Sequence, residues 1–147
     1  MSLSVLFRKK DDAVSLPKYE TAGSAGADIR AHISCPVTIE KGEHALVPTG
    51  LFPEVPVGFE IQVRPRSGLA FRNGITVLNT PGTVDSDYRG EIMVNLINLG
   101  SDRFVVNDGD RIAQIVISPV IQAEFIESAS LSSTGRGKGG FGSTGVK

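Results

Sequence analysis

Gly82-Thr83-Val84-Asp85-Ser86-Asp87-Tyr88-Arg89-Gly90 is the stretch on which the reading of this chain turns. Two carboxylates, a phenol and a guanidinium fall at positions 85–89, and glycines close both ends. Strand-like runs flank it: Ile-Thr-Val-Leu at 75–78 before, Ile-Met-Val-Asn-Leu-Ile at 92–97 after. Such runs, rich in β-branched residues and bounded by turn signals, read as strands. The polar groups are therefore expected between strands, on a rigid scaffold suited to chemistry. Taken alone, the same residues also read as an ordinary hairpin turn whose Asp side chains bond their own backbone.

Working outward, the chain is punctuated too often for long helices. Its 17 Gly and 8 Pro leave only two stretches longer than a dozen residues free of both, 1–16 and 120–134. Short strands are expected at 5–7, 27–31, 37–39, 45–47, 59–63, 104–106 and 112–117. Many short strands at this spacing indicate a closed or sandwiched all-β fold. One segment departs from the pattern. Ser67 follows Arg64-Pro65-Arg66 and suits an N-cap, with helix formers Leu69, Ala70 and Arg72 behind it, so one or two helical turns are expected there. Residues 120–134 read either way. Ile121, Phe125 and Ala129 have helical spacing, while Val120-Ile121 and Phe125-Ile126 suit a strand. From Ser130 the chain carries six glycines and few apolar side chains. It cannot build a core, and a mobile tail is expected.

With 147 residues the chain suits one domain. A net charge of −1, from 15 basic and 16 acidic residues, argues against a general binder of nucleic acid or membrane surfaces. It leaves room for a local basic site. Cys35 is the only cysteine, so neither an intrachain disulfide nor a multi-cysteine zinc site is available. A reduced, cytoplasmic setting is the expectation, with Cys35 itself a small half-buried hydrophobe. His32 and His44 read as ordinary satisfied residues. No apolar run approaches the ~18 residues of a membrane span. The N-terminal charges follow the apolar run instead of preceding it, so no secretion signal is expected.

Five short stretches, in this order, carry a specific resemblance. The first is Ser24-Ala25-Gly26-Ala27-Asp28-Ile29-Arg30-Ala31, the second Pro65-Arg66-Ser67-Gly68-Leu69-Ala70. The third is the opening stretch with Glu91-Ile92, and the fourth Gly109-Asp110-Arg111-Ile112-Ala113-Gln114-Ile115. The fifth is Arg136-Gly137-Lys138-Gly139-Gly140-Phe141-Gly142-Ser143-Thr144-Gly145. Any one would be weak evidence; five in order, over nearly the whole chain, are strong. The sequence resembles the homotrimeric deoxyuridine triphosphatases (dUTPases).

The resemblance implies a distorted jelly-roll β-barrel with one short helix: a core over 1–129 and a mobile, glycine-rich arm over 130–147 that closes on the site. It implies a homotrimer with shared sites and Mg²⁺-assisted hydrolysis of dUTP to dUMP and pyrophosphate, which clears dUTP and supplies dUMP for dTMP synthesis. Neither nucleic acid nor membrane is an implied partner. Asp85 matches the catalytic aspartate: one hydrogen bond from water, a carboxylate can orient it and take its proton as it attacks the α-phosphorus. Asp87 reads as structural, with Arg89 as its partner. Tyr88 matches the tyrosine that packs on the deoxyribose and excludes a 2′-hydroxyl. Asn79 and the backbone of Gly82, Thr83 and Val84 match a uracil-reading hairpin; an amide offers donor and acceptor together. Arg66, Ser67 and Gly68, at a helix start, match the phosphate site. Gln114 matches a residue near the α-phosphate and the metal's waters, with a polar strand residue facing solvent as the alternative. Asp28 matches an aspartate beside the water shell of Mg²⁺, with a purely structural role as the alternative. Mg²⁺ keeps most of its waters and favours substrate phosphates, so no protein cage is needed.

In the arm, Phe141 would stack on uracil, Arg136 would meet the γ-phosphate, and Gly140, Gly142, Ser143 and Thr144 would complete the cover. Gly135 to Gly140 fits G-x-G-x-x-G, but no strand–helix unit follows, which excludes a dinucleotide fold. Two alternatives remain: a dCTP deaminase of the same fold, and a non-catalytic nucleotide-binding regulator.

Overall fold

The computed structural model describes residues 3–145, and residues 1–2 and 146–147, the outer ends of the two expected regions, lie outside the described residues. Strands follow one another along the chain: β1 Leu6–Lys9, β2 Ala27–Arg30, β3 Val37–Ile39, β4 His44–Pro48, β5 Leu51–Glu54 and β6 Phe59–Arg64. One helix, α1 Ser67–Asn73, precedes β7 Ile75–Val77, β8 Gly82–Val84, β9 Met93–Asn98, β10 Phe104–Val106 and β11 Arg111–Pro119. All the pairings are antiparallel. They form a four-stranded sheet β2-β11-β6-β8, a three-stranded sheet β4-β9-β7, and the pairs β1-β5 and β10-β3.

Alternation in sequence becomes alternation in burial, because successive side chains of a strand point to opposite faces. On β9, Val94, Leu96 and Asn98 are buried while Met93 is exposed. On β6, Ile61 and Val63 are buried between more open neighbours. On β11 two consecutive residues, Ile112 and Ala113, are both buried. The pairing of β11 with β2 shifts register between Arg111 and Ala113. A bulge turns an extra residue, and here both side chains go inward. These strands share one core with Ile29, Ile39, Leu51, Ile75 and Ile92. Each such side chain, fully buried, contributes roughly 1.5–3 kcal/mol relative to exposure.

The one fully buried polar side chain of β9 is saturated. Asn98 donates to the carbonyls of Ile39 and Asp102 at 2.9 and 2.8 Å, and accepts from the N–H of Gly100. This joins β9, β3 and the turn before β10 at one point.

Four expectations are corrected. Arg66, in extended conformation, occupies the N-cap of α1 and makes no side-chain cap bond, so Ser67 is the first helical residue instead of the cap. Residues 120–134 form neither helix nor strand, because most of their side chains find no core to cover them. Cys35 is exposed, in the loop before β3, and not half-buried. Arg89 does not pair with Asp87: its guanidinium donates to the carbonyls of Ser86 and Tyr88, which the turn brings closer. No helix among the described residues is long and apolar enough to cross a membrane.

Candidate active site

The opening stretch does lie between paired strands, since β7 and β9 run antiparallel on either side of it in sequence. Its first three residues form a strand of their own, β8, which joins the other sheet by pairing with β6. Residues 78–81 therefore cross from one sheet to the next and do not form a two-strand hairpin. The crossing is closed by the Thr80 N–H donating to the Val77 carbonyl and by a cis Thr80-Pro81 bond. It brings Asn79 against Gly82: a Cβ at 82 would meet the Asn79 amide nitrogen and Val63 Cβ, each at 3.3 Å.

Past β8 the chain turns, with the Tyr88 N–H donating to the Asp85 carbonyl at 3.1 Å. The turn leaves Asp85 exposed at the strand end, between two hollows. One, of about 170 Å³, is walled by Thr83, Val84, Asp85, Tyr88 and Glu91. The other, of about 460 Å³, lies between Asp85, Asp87, Glu60 and Val120. Tyr88 donates its hydroxyl to the Glu91 carbonyl at 2.8 Å. Glu91 in turn accepts the Gly50 N–H at 2.7 Å.

A second cluster forms where β2, β11 and β6 run side by side. Register sets Asp28 opposite Gln114, and Gln114 opposite Arg64. Arg66, two residues past Arg64, turns back so that its Nε donates to Asp28 Oδ1 at 3.1 Å. Arg111 Nη1 reaches Asp28 Oδ2 at 3.3 Å and Glu20 at 3.7 Å. Gln114 donates to the Pro65 carbonyl at 3.0 Å. Gly68, behind the start of α1, faces open space: a Cβ there would meet only the Arg72 guanidinium, at 3.8 Å. Sequence reading gave no role to Arg111 or Glu20. The signal for Arg111 was present, since it sits inside the fourth motif.

The two clusters belong to one sheet but to opposite ends of it. Asp85 follows Val84, which pairs with Ile61, whereas Arg66 lies beyond the far end of β6. Within β6, the three steps from Ile61 to Arg64 span roughly 10 Å at about 3.3 Å per residue. The arm is a third, separate piece. Apart from the Ser128 hydroxyl donating to the Ser130 carbonyl at its root, its hydrogen bonds among the described residues run within 134–145, including Arg136 Nε to the Gly139 carbonyl and the Ser143 N–H to the Gly140 carbonyl. Phe141 is fully exposed, with φ of +48°. The single chain thus brings together Asn79, Gly82, Thr83, Val84, Asp85 and Tyr88, and separately Asp28, Arg66, Ser67, Gly68 and Gln114. Arg136, Gly140, Phe141, Gly142, Ser143 and Thr144 stand apart from both.

The dUTPase family profile matches residues 12–145. This chain belongs to the dUTPase family. The deoxyuridine 5′-triphosphate nucleotidohydrolase of Chlamydia pneumoniae is 56% identical over 142 residues, covering 96% of this chain and 98% of that protein. The one from Brucella abortus (strain 2308) is 56% identical over 147 residues, 99% of this chain and 94% of that protein. Among solved structures, the Staphylococcus bacteriophage 80alpha dUTPase with dUpNHpp superposes with a TM-score of 0.87 at 23% identity, covering 97% of this chain and 99% of that one. A D95N dUTPase from phage phi11 of S. aureus, described with a coordinated structural Mg(II) ion, gives 0.77 at 21% identity over 88% of this chain. The fold is accordingly the dUTPase jelly roll, here built as four small antiparallel sheets.

The donor set bears on magnesium. Among the described residues no group of three or more His, Cys, Asp or Glu side chains could hold a metal ion. Asp28, with a side chain only 13% exposed, gives one contact from each oxygen to a guanidinium. A carboxylate has about four lone-pair sites, so it keeps capacity for water. Asp28 thus has lone pairs to offer a water molecule beside its two guanidinium contacts.

Proposed function

We propose that this enzyme hydrolyses dUTP to dUMP and pyrophosphate, with Asp85 as the general base that orients and deprotonates the attacking water. The observation that carries the reading is Asp85 exposed at the end of β8, in the same hollow as Tyr88. Asn79 and the β8 backbone read the uracil edge, and Tyr88 lies along the deoxyribose. Arg66, with the backbone of Ser67 and Gly68, receives phosphate oxygens, and the open space over Gly68 supports close approach there. Gln114 holds the Pro65 carbonyl and so the chain leading into Arg66. Mg²⁺, carried by the triphosphate, supplies charge neutralisation there, with Asp28 touching its waters.

Two chains build one site in this reading. Asp85 and the Arg66 cluster of one chain lie at opposite ends of β6, which favours a site shared between chains. A trimer lets one protomer's Asp85 turn meet its neighbour's phosphate cluster. The uncovered Ile121, Phe125, Ile126 and Leu131, each at least 78% exposed, support burial between protomers. The arm, residues 130–147, closes over bound nucleotide, with Phe141 on uracil and Arg136 on the γ-phosphate. Closure excludes water and strengthens the remaining charges. A cytoplasmic setting fits an enzyme of the free nucleotide pool.

The test is product analysis with dUTP and dCTP. Pyrophosphate and dUMP from dUTP support the reading. Ammonia from dCTP would assign a deaminase, and tight dUTP binding without turnover would assign a regulator.

A further inference from the structure

Gly90 sits under the Tyr88 ring. A Cβ placed on Gly90 would lie 2.5 Å from Tyr88 Cζ and 2.9 Å from Cε2, and would overlap the hydroxyl outright. Gly90 is not one of the glycines with positive φ, so its backbone does not call for glycine. Space for the ring does. The backbone around it is also tied down. The Ile92 N–H donates to the Leu51 carbonyl at 2.8 Å, the Ile92 carbonyl accepts from the Thr49 hydroxyl at 2.7 Å, and the Glu91 carboxylate accepts the Gly50 N–H at 2.7 Å. Ile92 itself is buried in the core. Tyr88, by contrast, is 43% exposed and held at its tip by one hydrogen bond to the Glu91 carbonyl. If the two collide, the ring moves and the backbone stays.

We propose that Gly90 is a positioning residue for sugar selection: by carrying no side chain it seats the Tyr88 ring at the depth that rejects a ribonucleotide. The inference rests on the reading of Tyr88 against the deoxyribose given above. The ring is one wall of the hollow that also holds Thr83, Val84 and Asp85. Moving the hydroxyl end of the ring by roughly 1 Å, enough to restore van der Waals contact, changes the gap available at C2′, while leaving Asp85 and the β8 backbone in place. A pocket wall discriminates by steric fit on the scale of single atoms, worth about 10–200-fold per misplaced group.

The experiment compares kcat/KM for dUTP and UTP in wild type, Gly90→Ala, Tyr88→Ala and the double variant. Gly90→Ala is expected to lower the dUTP-to-UTP ratio about tenfold or more. Equal slowing on both substrates would mark Gly90 as merely structural and overturn the proposal. In the Tyr88→Ala background the second substitution should leave the ratio unchanged, since no ring remains to displace; a further fall overturns the proposal. If Tyr88→Ala lowers the ratio and Gly90→Ala does not, the Gly90 inference alone fails. If Tyr88→Ala leaves the ratio unchanged, the sugar reading of Tyr88 fails and takes this inference with it. Should Gly90→Ala not fold, the double variant decides: recovered folding shows that the ring was the obstacle, and continued failure overturns the proposal.

Discussion

Gln114 donates its side-chain amide to the carbonyl of Pro65 at 3.0 Å, which ties β11 to the chain just ahead of Arg66. The amide can lie there because position 26 has no side chain: a Cβ on Gly26 would overlap Gln114 Oε1 and Cδ. Gly26→Ala should push the amide off Pro65 and strand a half-buried carbonyl. Overpacking of this kind costs about 1–3 kcal/mol. We expect a lower urea midpoint and a raised KM for dUTP, measured on the same preparation at fixed protein concentration. An unchanged KM would show that Gln114 does not position the Arg66 segment.

Asp85→Asn keeps the shape of the turn and removes the acceptor for the water proton. Loss of a general base reduces turnover by about 10²-fold or more while leaving ground-state binding intact. The expected result is a fall in kcat with KM for dUTP close to wild type. Wild-type turnover would remove Asp85 from the chemistry and shift attention to Asp87 or Glu60 across the larger hollow.

Alternation made the central strands legible. β9 and β11 were readable because Val94 and Leu96 on the first, and Ala113 and Ile115 on the second, mark one face in a period of two. β5 was missed because Pro53 interrupts Leu51-Phe52-Pro53-Glu54. The structure tolerates it because β5 pairs only with β1, leaving its other edge free of a ladder. The motifs were legible as residue types, but their grouping was not. Asp28 and Arg111 stand 83 positions apart, and only the β2–β11 register brings them together. Asp87 and Arg89 suggested an ion pair by proximity in sequence. In the folded turn, backbone carbonyls are nearer to the guanidinium than that carboxylate is.

Asn98 offers a test far from the chemistry. Asn98→Leu would fit the apolar surroundings in size, yet it abandons the Ile39 and Asp102 carbonyls and the Gly100 N–H together. Leaving buried polar groups unpaired costs about 1–3 kcal/mol each where water cannot reach them. A destabilisation of about 2–4 kcal/mol is expected, read from chemical unfolding, with kcat/KM nearly unchanged wherever the protein is still folded. A stability equal to wild type would mean that the β9–β3 junction is held by packing alone.

Deleting residues 135–147 separates folding from closure. The hydrogen bonds of 134–145 among the described residues run within that segment, and Phe141 lies fully in solvent. Removal therefore takes no hydrogen bond from the core among the described residues. The thermal midpoint should stay near wild type, while turnover falls steeply because Arg136 no longer reaches the γ-phosphate and water stays in the site. Phe141→Ala alone should reproduce part of the loss, mostly in dUTP affinity, since base–aromatic stacking is worth about 1–3 kcal/mol. If the deletion unfolds the protein, the arm is part of the fold and not a cover. If the deleted enzyme turns over at the wild-type rate, closure contributes nothing to the reaction, and the phosphate cluster on Arg66 must neutralise the triphosphate unaided.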